Sequence, residues 1–93
     1  MRVLACDGIH EDGLAEMREA GWTVEVSDPI KDQAVLAKKL EGVDALLVRS
    51  ATSVSAEAIA NATQLKVNGR AGAGVDTIDV DAATARGIAV MNA

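Results

Sequence analysis

The chain alternates short apolar runs with longer stretches whose apolar residues recur at helical spacing. Val3 to Cys6 is an apolar run closed by Asp7-Gly8, which predicts a strand and a turn. Glu11 to Ala20 places Leu14 and Met17 about one turn apart, and Gly21 stops this helix. Trp22 to Val26 alternates apolar and polar residues, the pattern of a strand with one wetter face, before Ser27-Asp28-Pro29 turns the chain. Lys31 to Leu40 carries Ala34, Val35, Ala37 and Leu40 near helical spacing, with Gly42 beyond it. Val43 to Val48 is apolar apart from Asp44, as expected of a strand buried on both faces. Ser53 or Ser55 caps a short helix that runs through Ala62, with Glu57 near its positive end. Leu65 to Asn68 reads as a fourth strand. Asp79 caps a fourth helix that ends at Arg86-Gly87, and Ile88 to Met91 is a fifth strand.

This βαβαβαβαβ order contains no repeat, linker or low-complexity stretch, so residues 1–93 read as one α/β domain. Regular alternation predicts a parallel sheet with helices on both faces. Five strands suggest the flavodoxin-like order 2-1-3-4-5, in which ligands sit beyond the carboxyl ends of the strands. Those ends are Asp7-Gly8, Ser27-Asp28, Arg49-Ser50, Arg70 to Gly74, and Asn92. Two of the five offer an arginine.

Composition narrows the classes of function. A chain of 93 residues buries roughly 60–65% of its unfolded surface, enough for a small core. The one Trp and the absence of Phe and Tyr make that core aliphatic. They also nearly exclude stacking of bases or flavin rings on aromatic side chains. The formal net charge of −5 argues against nucleic acid and anionic membranes as partners, while leaving room for a local basic pocket. The single cysteine excludes an internal disulfide. The first apolar run is too short for a signal peptide and no spanning segment follows it, so a cytoplasmic location is expected.

Gly69-Arg70-Ala71-Gly72-Ala73-Gly74-Val75-Asp76 is the most informative stretch. Its plain reading is a connecting turn. Glycines, however, let backbone N–H groups approach an anion closely, and Arg70 sits beside them. Arg49-Ser50 is the second candidate, because a guanidinium grips a carboxylate or phosphate with two parallel bonds and a hydroxyl adds another donor. The glycine run is no dinucleotide motif: Thr77 stands where the third glycine of G-x-G-x-x-G belongs. Asp7 ends the first strand, where receiver domains carry their phospho-acceptor. Such a domain also needs an aspartate after the third strand and a lysine after the fifth, and those places hold Arg49-Ser50 and Asn92. Cys6 reads as a buried small hydrophobe, His10 as a turn or cap residue, and Trp22 as a packing or interface residue. One histidine and one cysteine support no metal site.

Leu46 to Thr52 (LLVRSAT) and Leu65 to Asn92 (LKVNGRAGAGVDTIDVDAATARGIAVMN) resemble the D-3-phosphoglycerate dehydrogenases, a branch of the D-2-hydroxyacid dehydrogenases. The resemblance covers nearly the whole chain and is weakest through residues 8–42. It implies an NAD-dependent oxidoreductase that oxidises 3-phosphoglycerate on the way to serine. It implies that the Ala71, Gly72, Ala73 and Gly74 backbone receives the substrate carboxylate. Arg49, Ser50 and Arg70 match positions facing the phosphorylated substrate, and Ala73 one near the nicotinamide. The family's catalytic histidine, glutamate and arginine, and its dinucleotide motif, belong to a downstream NAD-binding domain. The expectation is therefore an isolated substrate-binding domain, a fragment that takes 3-phosphoglycerate or a similar small anionic hydroxyacid. Its partner would be the NAD-binding domain, and alone it would not act as a dehydrogenase. The alternative is a stand-alone or engineered flavodoxin-like structural domain with no ligand function. Its exposed surface would then drive homodimerisation or strand exchange. Asn68 departs from the aliphatic residue usual in the family. A buried amide needs partners or costs roughly 1–3 kcal/mol, and Asn68 is either an introduced change or a residue reaching the edge of the site.

Overall fold

The structure, a computed structural model, describes residues 1–49, 51–70 and 78–92. The apolar runs pair as parallel strands: β1 (Arg2–Cys6), β2 (Thr23–Ser27), β3 (Ala45–Val48), β4 (Val67–Arg70) and β5 (Ala89–Asn92). They form one sheet in the order β2-β1-β3-β4-β5, the expected flavodoxin-like arrangement. The crossovers are α1 (Glu11–Glu19), α2 (Gln33–Lys39), α3 (Ala56–Ile59) and α4 (Val80–Ala85).

The chain steps outward from β1 to β2 and then runs back across the sheet to β3, β4 and β5. Right-handed crossovers then put α1 on one face and α2, α3 and α4 on the other. Burial follows the two faces. Leu4, Cys6, Leu46 and Val48 share one core with Leu36, Ala58, Ile59 and Ala83. Val3, Ala5 and Ala45, at the alternate strand positions, are buried outside that core, as is Leu14 of α1. The α1 face thins toward β5, where Met91 is 59% exposed. The outer strand β2 is wetter than its alternation predicts, because nothing flanks it on one edge and α1 covers it only in part: Val26 is exposed along with Thr23 and Glu25.

Several element boundaries shift from the sequence-based expectation, each for a local reason. Asp32 rather than Lys31 opens α2, its side chain accepting from the N–H groups of Ala34 and Val35. Ser55, not Ser53, caps α3, which closes early at Ile59. Asp44 stands outside β3: its carboxylate accepts from Arg2 N–H and its carbonyl from Lys66 and Val67 N–H. That contact delays β4 to Val67, so Gly69 and Arg70 are strand residues and not part of a loop. Gly69 lies there in close approach to the neighbouring strand. A Cβ on it would lie 2.9 Å from Leu47 Cδ2 on the neighbouring strand.

Candidate functional site

The carboxyl edge of the sheet is built around the break in strand order between β1 and β3. Three strand ends meet there. Cys6 closes β1 and hands over to Asp7, Val48 closes β3 and hands over to Arg49, and Arg70 closes β4. In the ladder Val48 lies opposite Arg70, and Arg70 opposite Asn92. Neighbouring strands run about 4.8 Å apart, so Arg49 and Arg70 start from adjacent places on one edge. Arg49 is exposed, and no carboxylate pairs with it among the described residues. Arg70 is half-buried. Of the other residues expected to bind substrate, Ser50, Ala71, Gly72, Ala73 and Gly74 lie outside the described residues, and so does the role expected of Ala73 toward the nicotinamide.

The edge contains an arrangement that sequence reasoning passed over. Asp7 adopts a left-handed backbone (φ 68°), followed by Gly8 in the same region (φ 71°). This turn aims the Asp7 carboxylate across the sheet end at the segment after β3. Its Oδ2 accepts from Arg49 N–H and Thr52 N–H, both at 2.9 Å. Its Oδ1 accepts from the Thr52 hydroxyl at 2.6 Å. Burial works against the Asp7 charge, but the bonds from the Thr52 hydroxyl and from the Arg49, Thr52 and Ala51 backbone outweigh it. The carboxyl is held below the usual aspartate range. Thr52 is fully buried, and its oxygen also accepts from Ile30 N–H at 3.0 Å.

Further ties hold the same segment. Gln33 at the start of α2 donates to Ser53 O (2.9 Å) and accepts from Ser55 N–H (3.0 Å) and the Ser55 hydroxyl (2.8 Å). Val54 pairs in parallel with Ile78, and Asp79 N–H donates to Val54 O. Arg49 and residues 52–55 are thus fastened to the end of β1, to α2 and to the chain that enters α4. Asp7, Thr52 and Gln33 left no sequence signal, because their partners are 20 to 45 residues away.

The remaining candidates are structural. Cys6 is fully buried. Burial, reinforced by the negative Asp7, pushes its thiol up to about 11 and makes it unreactive at neutral pH. His10 is the N-cap of α1, its Nδ1 accepting from Asp12 N–H at 3.1 Å. Trp22 precedes the outer strand and is partly exposed. Asn68 does not reach the site edge with a partner: it is fully buried, and neither atom of its amide is hydrogen-bonded. Among the described residues no cluster suits a metal ion and no helix is long and apolar enough to cross a membrane.

Comparison with known proteins places this edge in context. The chain is 45% identical, over all 93 residues, to the D-3-phosphoglycerate dehydrogenase of Methanocaldococcus jannaschii, of which it spans 17%. It is 50% identical over 80 residues, 86% of its length, to that of Mycobacterium tuberculosis, of which the match spans 14%. The fold superposes on the NAD+-bound 3-phosphoglycerate dehydrogenase of Entamoeba histolytica with a TM-score of 0.84 and 28% identity, over 99% of this chain and 32% of that one. The model of the D-isomer specific 2-hydroxyacid dehydrogenase catalytic domain matches residues 3–93. By this match the chain belongs to the D-isomer specific 2-hydroxyacid dehydrogenase family.

Proposed function

We propose that this chain is the substrate-binding domain of an NAD-dependent D-3-phosphoglycerate dehydrogenase, a cytoplasmic enzyme on the way to serine. In this role residues 1–93 receive 3-phosphoglycerate or a similar small anionic hydroxyacid at the carboxyl edge of the sheet. The observation that carries the reading is the pair of arginines at adjacent strand ends, Arg49 exposed and without a carboxylate partner among the described residues. In a chain of net charge −5 this is a local anion site. Arg49, Ser50 and Arg70 hold the phosphorylated substrate, and the backbone from Ala71 to Gly74 receives its carboxylate. NAD is held by a separate domain, with Ala73 the point of approach to the nicotinamide. The sequence fits that division of labour: it has no dinucleotide motif, and its lone histidine caps a helix. Alone, the chain carries out no hydride transfer.

Arginine substitution tests the site. Arg49→Ala is expected to weaken 3-phosphoglycerate binding by about tenfold, the effect of one charge-assisted hydrogen bond, with dispersed amide spectra showing that the fold persists. Unchanged affinity would remove Arg49 from the site. The competing reading is a structural domain without ligand that pairs with a second copy through the exposed end of β5, where Met91 stands out. It predicts no saturable binding and a sedimentation mass that rises with concentration.

A further inference from the structure

The carboxylate of Asp7 accepts three hydrogen bonds, all from the segment that begins with Arg49: from the N–H groups of Arg49 and Thr52 and from the Thr52 hydroxyl. Asp7 sits in the left-handed backbone region, which aspartate enters more readily than most non-glycine residues but still at a cost of about 1 kcal/mol. Here that conformation aims the side chain at the neighbouring strand end. Two properties follow. The backbone donors of Arg49 and Thr52 are used up inside the protein, so at these two positions only a side chain is left to meet a ligand. Arg49 also has its main chain held on its N-terminal side, by the β3 ladder through Val48 and by Asp7 through its own N–H.

We infer that Asp7 is a positioning residue for the anion site: with the Thr52 hydroxyl it fixes the turn after β3, and so the root of the Arg49 side chain. This inference rests on the substrate-binding reading above. Thr52 is its second half. Its hydroxyl donates to Asp7 and accepts from Ile30 N–H, which ties the turn to the chain entering α2 as well as to β1. An asparagine at position 7 would keep the size but turn one acceptor oxygen into a donor facing N–H or O–H groups.

The test follows backbone amide shifts and hydrogen exchange in the 93-residue chain, with 3-phosphoglycerate as the added probe. In the ligand-free protein, Asp7→Asn and Thr52→Val should each shift the Arg49 and Thr52 amide resonances and speed their exchange about tenfold, while β2 and β5 amides stay in place. On titration both variants should lose affinity about tenfold, and Thr52→Ser, which restores the hydroxyl, should recover most of it. Wild-type shifts and exchange at Arg49 and Thr52 in both Asp7→Asn and Thr52→Val would overturn the inference. So would a loosened turn with unchanged affinity, since Asp7 would then be structural only. If the unsubstituted chain binds no 3-phosphoglycerate, the substrate-binding reading fails by itself, and the ligand-free spectra still decide whether Asp7 fixes the turn.

Discussion

Two polar side chains, Asp7 just beyond the end of β1 and Asn68 buried within β4, behave in opposite ways. Asp7 is charged and well served by donors, whereas Asn68 is neutral and has none. An unsatisfied buried amide costs about 1–3 kcal/mol, so Asn68→Val should stabilise the domain. In a protein this small the melting temperature should then rise by about 4–8 °C per kcal/mol. A thermal melt that falls instead would mean that the amide finds partners in solution. Asp7 gives an acid-side prediction. Its carboxyl titrates lower in the folded protein than in the unfolded chain, so its contribution is complete above the unfolded value. It is lost as pH falls through the folded value. As pH falls below about 4, the ordinary aspartate range, denaturant midpoints of the native chain should therefore drop more steeply than those of Asp7→Asn. Parallel curves would contradict the hydrogen bonds described for this carboxylate.

At the scale of elements, most of the fold was legible because it rests on local patterns. Apolar runs, helical spacing and glycine stops located nine elements and the strand order. The errors came where a distant residue set the boundary. Asp44 reads as part of a buried strand, but its carboxylate and carbonyl serve Arg2 and Lys66 across the sheet and move the starts of β3 and β4. The same shift carries Gly69 and Arg70 out of the expected loop and into β4, which anchors Arg70 between β3 and β5. At the carboxyl edge, the placement of Arg49 and Arg70 at neighbouring strand ends was legible from residue type and position, whereas the Asp7–Thr52 clamp was not, since no pattern relates residues 45 apart. Gly69 shows what β4 tolerates. A methyl there meets the tip of a half-buried Leu47 that is able to turn aside, and alanine also relieves the entropic cost of glycine. Gly69→Ala should change stability by less than about 1 kcal/mol, and Gly69→Val, with no such relief, should cost about 1–3 kcal/mol. Equal effects in denaturant melts would argue against this close contact of β3 with β4.

At the scale of the whole molecule, the proposed site lies at one edge of the sheet and the rest of the fold supports that edge. The core of aliphatic side chains under α2, α3 and α4 holds β1, β3 and β4 in register. The register brings three strand ends together, and the Asp7 clamp sets the turn beside them. The molecule is acidic overall, yet this edge presents arginines, which is the charge arrangement an anionic hydroxyacid requires. The chain spans about a sixth of the curated dehydrogenases it matches, and the share of a reaction proposed for it above is binding and orientation. The most direct measurement is a titration of the isotope-labelled 93-residue chain with 3-phosphoglycerate, following every backbone amide. Saturable shifts confined to Asp7, Arg49, Thr52 and Arg70 and their neighbours, with a dissociation constant on the order of millimolar, are the predicted result. No saturable shift at those amides at tens of millimolar ligand, or shifts scattered evenly over the surface, would contradict a substrate site at the carboxyl edge.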